Sequence, residues 1–472
     1  MPDQNGGSAR PGLFDGVFAR GGPVADDAAW LRAMLAAEAA LARAVERAGL
    51  APAGAGAAVT GAADAAGLGA DDLAELARAT ALTGNPVPGL ARVLTRRVAD
   101  PAARSAVHQG ATSQDIIDTA AMLLARDAID AAVGDLTAAA GAAARLADAH
   151  RRTLMIGRTL LQQAVPVTFG VVAAGWLAGL DSAVGWLTFV RDTRLAVQLG
   201  GAAGILASLG EDGARVRALM AEELGLADPP LPWHTERLRV VDVGTVAARA
   251  CAALSKIARD VTLLAQTEVG EVAEGAGDDQ GAAGAPRRGG SSAMPNKSNP
   301  VASVAILGCA RQAPGLLVTL LASAEQEHQR AAGAWHAEWQ PYGHLLTVTV
   351  SAAAWARDLL VNLQVDKARM AANVAAAGGL PLAERVTALL RDSLGAPAAH
   401  DLVATAAARS ASSGVPFRDV LLDTPQIEDK LAAAGVTQAL VEQALDPSGY
   451  LGASQAFITA ALDAHAAPLQ CG

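Results

Sequence analysis

The chain has 472 residues, a formal net charge of −10, 52% hydrophobic side chains and only 3% aromatics. That charge argues against general affinity for nucleic acid or for anionic membrane surfaces, so an anionic substrate needs a local basic exception. Cys251, Cys309 and Cys471 have neither metal spacing nor the count of a disulfide framework, and a reducing cytoplasm fits them.

The length predicts two to four domains, and the abundance of alanine, the best helix former, predicts an all-α class. Residues 1–25 read as a loosely held arm, polar and glycine-rich, with no hydrophobic core of a signal peptide. Asp26 and Asp27 then open a helix carrying Trp30, Leu31, Met34, Leu35, Leu41 and Val45, and Gly49 closes it. Glycine- and alanine-rich stretches near 51–70 and 84–89 separate short helices, giving a small helical domain over 1–108. Residues 109–355 turn to long apolar helices, with candidates at 114–150, 166–199, 240–274 and 300–332 and a kink expected at Pro314. Such lengths suggest a long-helix bundle, interrupted by a loop over 275–300. The uncharged span 159–180 could cross a bilayer by length, but Gln162, Gln163 and Pro166 in its first half favour a buried bundle helix. Residues 356–472 return to shorter helices broken by Gly379, Pro381, Pro397, Pro416 and Pro447.

Three polar clusters stand between these helices. The first, His108-Gln-Gly-Ala-Thr-Ser-Gln-Asp115, offers Thr112 and Ser113 as donors to a carboxylate. Asp115 either caps the next helix or orients those hydroxyls. The second, Gly157-Arg-Thr-Leu-Leu-Gln-Gln163, sets Arg158, Thr159 and Gln162 where burial demands partners. For both clusters the plainer reading is structural: a helix-start cap, and hydrogen bonds between helices. The third is Arg288-Gly-Gly-Ser-Ser-Ala-Met-Pro-Asn-Lys-Ser-Asn-Pro300. Gly289 and Gly290 mark a sharp bend, Asn299 reads as an N-cap and Pro300 as the first helical residue. Hydroxyls and the Lys297 ammonium then sit beside a helix N-terminus, the chemistry of a polyanion site. A plain flexible turn explains the glycines but not Ser291, Ser292, Lys297 and Asn299 together.

In this order the clusters resemble the three motifs of the fumarase/aspartase superfamily, which includes adenylosuccinate and argininosuccinate lyases. The resemblance covers nearly the whole chain, and G-S-S-x-M-P-x-K-x-N-P is its most specific part. It implies an all-α fold of three helical domains, no cofactor or metal, and a homotetramer whose active sites each draw their motifs from three subunits. Carried over by position, Ser291 matches the catalytic serine, with Ser292 and Met294 beside it in the signature. Lys297 and Asn299 match the residues that hold the carboxylate next to the acidic C–H. Thr112 and Ser113 match a carboxylate-binding pair, and Thr159 and Gln162 match substrate contacts. The implied chemistry is proton transfer at a carbon α to a carboxylate, with Ser291 activated by backbone N–H groups and Lys297.

One position departs. Many members read G-x-T-H in the second motif, where the histidine helps to protonate the leaving group; here that residue is Leu160. Amine and hydroxide leaving groups need an acid, whereas a carboxylate, with a pKa near ~4, leaves unaided. The reaction that expels or adds a carboxylate is lactone opening or closing. The lactone-forming branch of the superfamily has an apolar residue at this position. Leu231-Pro-Trp-His234-Thr-Glu-Arg237, the segment from Glu327 through Arg330 to Trp339, and Tyr450-Leu-Gly-Ala-Ser454 also resemble that branch. A small tricarboxylate substrate follows, with His234, Arg237 and Arg330 as candidates for its third carboxylate. Structural ion pairing is the alternative for each. Arg287 and Arg288 read as a solvated basic pair, His336 and Glu338 as a site wall or a cap, and His108 as a substrate contact or a helix-start residue. An adenylosuccinate or other fumarate-releasing lyase would need the missing histidine. A catalytically silent helical protein would be expected to lose the signature, which is intact.

Overall fold

The computed structural model describes residues 12–22, 24–64, 68, 70–275, 288–290, 293–294 and 297–467. Arg287, Ser291, Ser292 and Cys471 lie outside the described residues. The described chain is overwhelmingly helical, with only two small two-stranded sheets.

Helix α1 (Asp27–Arg47) begins at Asp26, whose side chain accepts from Ala29 N, and stops before Gly49, at φ +80°. Five long helices form the body: α2 (Ser113–Ala149), α3 (Phe169–Thr193), α4 (Leu238–Leu264), α5 (Val301–Ala322) and α6 (Ala334–Val361). They pack as an up-and-down bundle, α2 against α3 and α6, and α4 against α3, α5 and α6. Alanine at the contacts lets the helices approach closely, and one apolar core runs from α1 through the whole bundle. A smaller core over the C-terminal helices gathers Val386, Leu390, Leu402, Phe417, Leu421 and Val441. The first core is continuous across residue 108, and α6 crosses residue 355.

The fifth bundle helix, α6, escaped the sequence reading because Pro341 stands inside it. It forms regardless: one lost hydrogen bond is small beside the burial of Tyr342, Leu345, Leu346, Val348 and Val350. α5 likewise runs on through Pro314. α4 and α5 stop at Leu264 and Ala322, short of the expected 274 and 332.

The span 159–180 is not one helix. Its first part belongs to a hairpin of β1 (Leu154–Thr159) and β2 (Gln162–Thr168), and α3 begins only at Phe169. Pro166 and the β-branched Val165, Val167 and Thr168 favour strand over helix, and Thr168 caps α3 by accepting from Val171 N. β3 (Val272–Glu274) pairs with β4 (Leu363–Val365), tying the end of the α4 connection to the end of α6. α3 and α5 are long and apolar enough to cross a membrane by length and composition; both pack within the bundle.

Candidate active site

The start of α2 gathers one set of polar groups. Asp115 is fully buried and accepts from the backbone N–H groups of Thr112, Gly200 and Gly201, each at 2.9 Å. It thus caps α2 and pins the loop after α3. Arg330 donates to Thr112 Oγ1 at 2.8 Å, so two expected site residues do meet, with Ser113 beside them at the first position of α2.

Two other candidates are turned inward. His234 Nε2 lies 2.6 Å from Asp115 Oδ1, and the histidine is only 4% exposed. Arg237 is 2% exposed and lies between two carboxylates, Asp118 at 2.7 and 3.0 Å and Glu338 at 2.6 Å. The expectation that His234 and Arg237 hold the third carboxylate is therefore corrected: internal acids already occupy them, and the structural alternative holds for both. Glu338 is Arg237's partner rather than a site wall; burial raises its pKa more than Arg237 lowers it. His336 is exposed and packs against Trp335 and Trp339 at 5.2 and 4.7 Å between ring centroids.

His108 gains a clearer role. The buried Glu38 of α1 meets both its Nδ1, at 2.7 Å, and its backbone N–H, at 3.0 Å. Nδ1 facing a carboxylate carries the proton and leaves Nε2 as the free face of the ring. Burial opposes charge on the imidazole, but Glu38, with Asp115 adding to it, outweighs burial and raises the pKa. The residue has φ +55°, a strained backbone for a histidine, four residues before Thr112.

The other two motifs lie at the far end of the bundle. In the hairpin, Arg158 pairs with the buried Glu271 through two bonds of 2.9 Å, and Asn373 also donates to Glu271 at 2.8 Å. Thr159, Leu160, Leu161 and Gln162 form an exposed tip rather than the buried helix start anticipated for them.

The signature segment is closed at its stem. Asn299 donates to Gly289 O from its backbone N at 2.8 Å and from Nδ2 at 3.0 Å, and Gly290 bridges to Ser298. Gly289, at φ +75°, has no alternative: a Cβ there would stand 2.4 Å from Asn299 O. Met294 and Lys297 are exposed beyond this stem. Asn299 is thus a clasp and not the N-cap; Pro300 takes the cap position and Val301 begins α5.

The anion-binding helix end expected here is already filled. Glu274 accepts from Ala302 N, Ser303 N and Ser303 Oγ at 2.9, 2.8 and 2.7 Å. A carboxylate from within the chain therefore meets the free N–H groups and dipole of α5. Arg288 is no solvated cation: it is buried against Asp358 at 2.7 Å and Glu274 at 3.4 Å, and stacks over Trp355. Glu38, Asp118, Glu271, Glu274 and Asp358 were all missed from sequence; an acidic residue carries no local mark of its distant partner.

The first two motifs lie far apart in one chain. α2 has 37 residues and spans about 55 Å, with motif one at its start and the hairpin after its end. The eleven residues from Ala149 to Leu160 reach back at most about 40 Å even fully extended, so Thr112 and Leu160 of one chain stay more than about 15 Å apart. A site built from both motifs needs more than one copy of the chain.

The chain belongs to the lyase family, whose model matches residues 24–315. Among curated relatives, the 3-carboxy-cis,cis-muconate cycloisomerase of Bradyrhizobium diazoefficiens is 44% identical over 440 residues, covering 93% of this chain and 94% of that one. The nitrosuccinate lyase of Streptomyces davaonensis is 45% identical over 446 residues, covering 92% and 90%. The crystal structure of the 3-carboxy-cis,cis-muconate lactonizing enzyme from Pseudomonas putida superposes with a TM-score of 0.85 at 37% identity, covering 96% and 98%.

Proposed function

We infer that this protein is a 3-carboxy-cis,cis-muconate cycloisomerase, closing a tricarboxylate of aromatic-ring breakdown to 4-carboxymuconolactone. The observation that carries the reading is Leu160, an aliphatic residue where an acid histidine stands in many lyases of the superfamily. One substrate carboxylate oxygen bonds to the neighbouring double-bond carbon, and the electron pair moves to the adjacent carbon and into its carboxylate. The nucleophile belongs to the substrate, so the enzyme's task is to fold it correctly and stabilise the resulting carbanion. We assign that stabilisation to Lys297 and hydroxyl donors, with Thr112, Ser113, Thr159 and Gln162 binding the remaining carboxylates. Asn299 acts by clasping the segment that carries Lys297. Ser291, with Ser292 and Met294 beside it, delivers the proton to carbon. Arg330 at Thr112 is the strongest candidate for the third carboxylate, since it alone of the three proposed ligands is not consumed by an internal acid.

The reading includes a homotetramer with sites shared among three subunits. The motif separation supports it, as does α5, which exposes Val304, Val318 and Leu321 along one face. We assign the enzyme to the cytoplasm, where the free thiols of Cys251 and Cys309 stay reduced.

A second reading has an observation in its favour. Nitrite is, like a carboxylate, the anion of a weak acid and leaves without proton transfer, so Leu160 also suits a nitrosuccinate lyase. Three assays separate the readings: loss of 3-carboxymuconate absorbance, nitrite release from nitrosuccinate, and fumarate release from adenylosuccinate. Turnover of the first substrate alone is expected, and Ser291→Ala should abolish it with the assembly intact. Activity only with another substrate sinks the cycloisomerase reading, and no turnover of any leaves a silent helical protein.

A further inference from the structure

Leu160 and Leu161 make up the whole two-residue turn of the β1–β2 hairpin, between the paired Thr159 and Gln162. Their φ values are +50° and +64°. Two successive left-handed residues form the tight hairpin turn that sequences usually build from Asn-Gly, because a Cβ there crowds the backbone. Nothing among the described residues compensates: Leu160 is 96% exposed and Leu161 73%. This turn sets aside both backbone ease and solvent-facing polarity. Such a combination marks a functional position more often than a packing one.

Loss of the acid histidine does not account for it. Any residue without a proton to give would remove the acid, and asparagine or glycine would also relieve the backbone. Keeping leucine at both positions requires a task for apolar bulk.

We propose that Leu160 and Leu161 form a dry plug over the reacting double bond, in a site completed by another copy of the chain. Its task is to deny water a place beside that bond. The proposal rests on the cycloisomerase reading above. Ring closure and hydration share their demanding step: an oxygen adds to the same carbon and the pair moves to the same carboxylate-bearing neighbour. In ring closure the oxygen comes from the substrate's own carboxylate. In hydration, water gives its hydroxyl to one carbon and its other proton to the neighbouring carbon, and the product is a hydroxytricarboxylate one water heavier. Stabilising the carbanion favours both equally, so beyond the folding of the substrate it is exclusion of water that separates them. A second copy is required because the tip cannot reach its own chain's Thr112. Arg158, clamped to Glu271, holds the tip in place.

The test is the double variant Leu160→Asn/Leu161→Gly in the assembled full-length enzyme, with Leu160→Met/Leu161→Met as the apolar control. Light scattering, thermal unfolding, 3-carboxymuconate turnover and product mass are measured on each. The Asn-Gly enzyme should keep its assembly, unfold no earlier than wild type, and lose at least tenfold in kcat/KM. It should also release the water adduct that wild type does not. The Met-Met enzyme should make lactone alone. An Asn-Gly enzyme with wild-type rate and pure lactone overturns the plug. So does one that falls apart, since the leucines would then serve an interface. A wild-type enzyme that fails to lactonise 3-carboxymuconate overturns the functional reading and the plug together, whereas the variant results bear on the plug alone.

Discussion

Arg237→Met removes the cation from between Asp118 and Glu338 while keeping most of the side-chain volume. The guanidinium is 2% exposed and makes contacts of 2.7 and 3.0 Å to Asp118 and 3.0 and 2.6 Å to Glu338. These charge-assisted hydrogen bonds are gross attractions largely offset by desolvation, but deleting one partner of a buried set leaves the others uncompensated. The expected loss is about 3–5 kcal/mol, a large part of a typical ~5–15 kcal/mol of stability. The pH dependence has a definite sign. Burial already raises the Glu338 pKa, and without Arg237 it rises further. A carboxyl whose folded pKa exceeds its unfolded pKa costs stability that grows as pH climbs above the unfolded value. The deficit should therefore widen from about pH 5 to pH 8, read by urea denaturation at both. A carboxylate-binding Arg237 predicts the reverse pattern, with stability within about 1 kcal/mol of wild type and a KM raised tenfold or more. That result would refute the structural assignment.

Glu38→Gln should lower the His108 pKa, since the buried carboxylate that favours the imidazolium is gone. Because wild-type folding raises this pKa, the pair's contribution of about 1.5–3 kcal/mol is present at low pH and lost as pH rises through the folded pKa. The gap between variant and wild type in thermal unfolding should accordingly be wide at pH 6 and narrow at pH 8.5; equal gaps would sink the pairing. Gly289→Ala puts a methyl 2.4 Å from Asn299 O at φ +75°, opening the clasp under Lys297. It should cost more than tenfold in kcat with an unchanged far-ultraviolet dichroism spectrum; normal kinetics would show that the clasp does not position the loop. Burial pushes the Cys251 thiol up to about 12 and the Cys309 thiol up to about 11. Neither should react with a disulfide reagent at pH 8 until the protein is denatured, and rapid labelling of either native thiol would contradict the packing.

Much of the site's chemical inventory was legible in the linear chain. The signature residues and the apolar substitution at Leu160 are read from adjacent positions, as are the Asp26 cap and the alanine-rich helices. The failures over Asn299, His234 and Arg237 share one feature, a partner distant in sequence. Asn299 looked like an N-cap because Asn-Pro before an apolar run usually is one, yet Glu274, from the far side of the loop, fills that helix end. His234 and Arg237 looked like substrate ligands because their segment resembles the lactone-forming branch; Asp115, Asp118 and Glu338 neutralise them across the bundle. The hairpin was taken for helix although Pro166 and its β-branched neighbours carried the signal.

The sequence by itself determined the class of fold, because helix propensity and capping act over a few residues, and its three motifs carried the resemblance to the superfamily. Only the tertiary structure decided which charges are spent inside the protein and which remain for substrate, because the cost of an unpaired buried charge is settled by whatever the fold brings within about 3 Å of it. It also decided that the first two motifs stand at opposite ends of α2. That separation follows from the helix rise per residue, and a site that used both motifs would have to draw them from different copies of the chain.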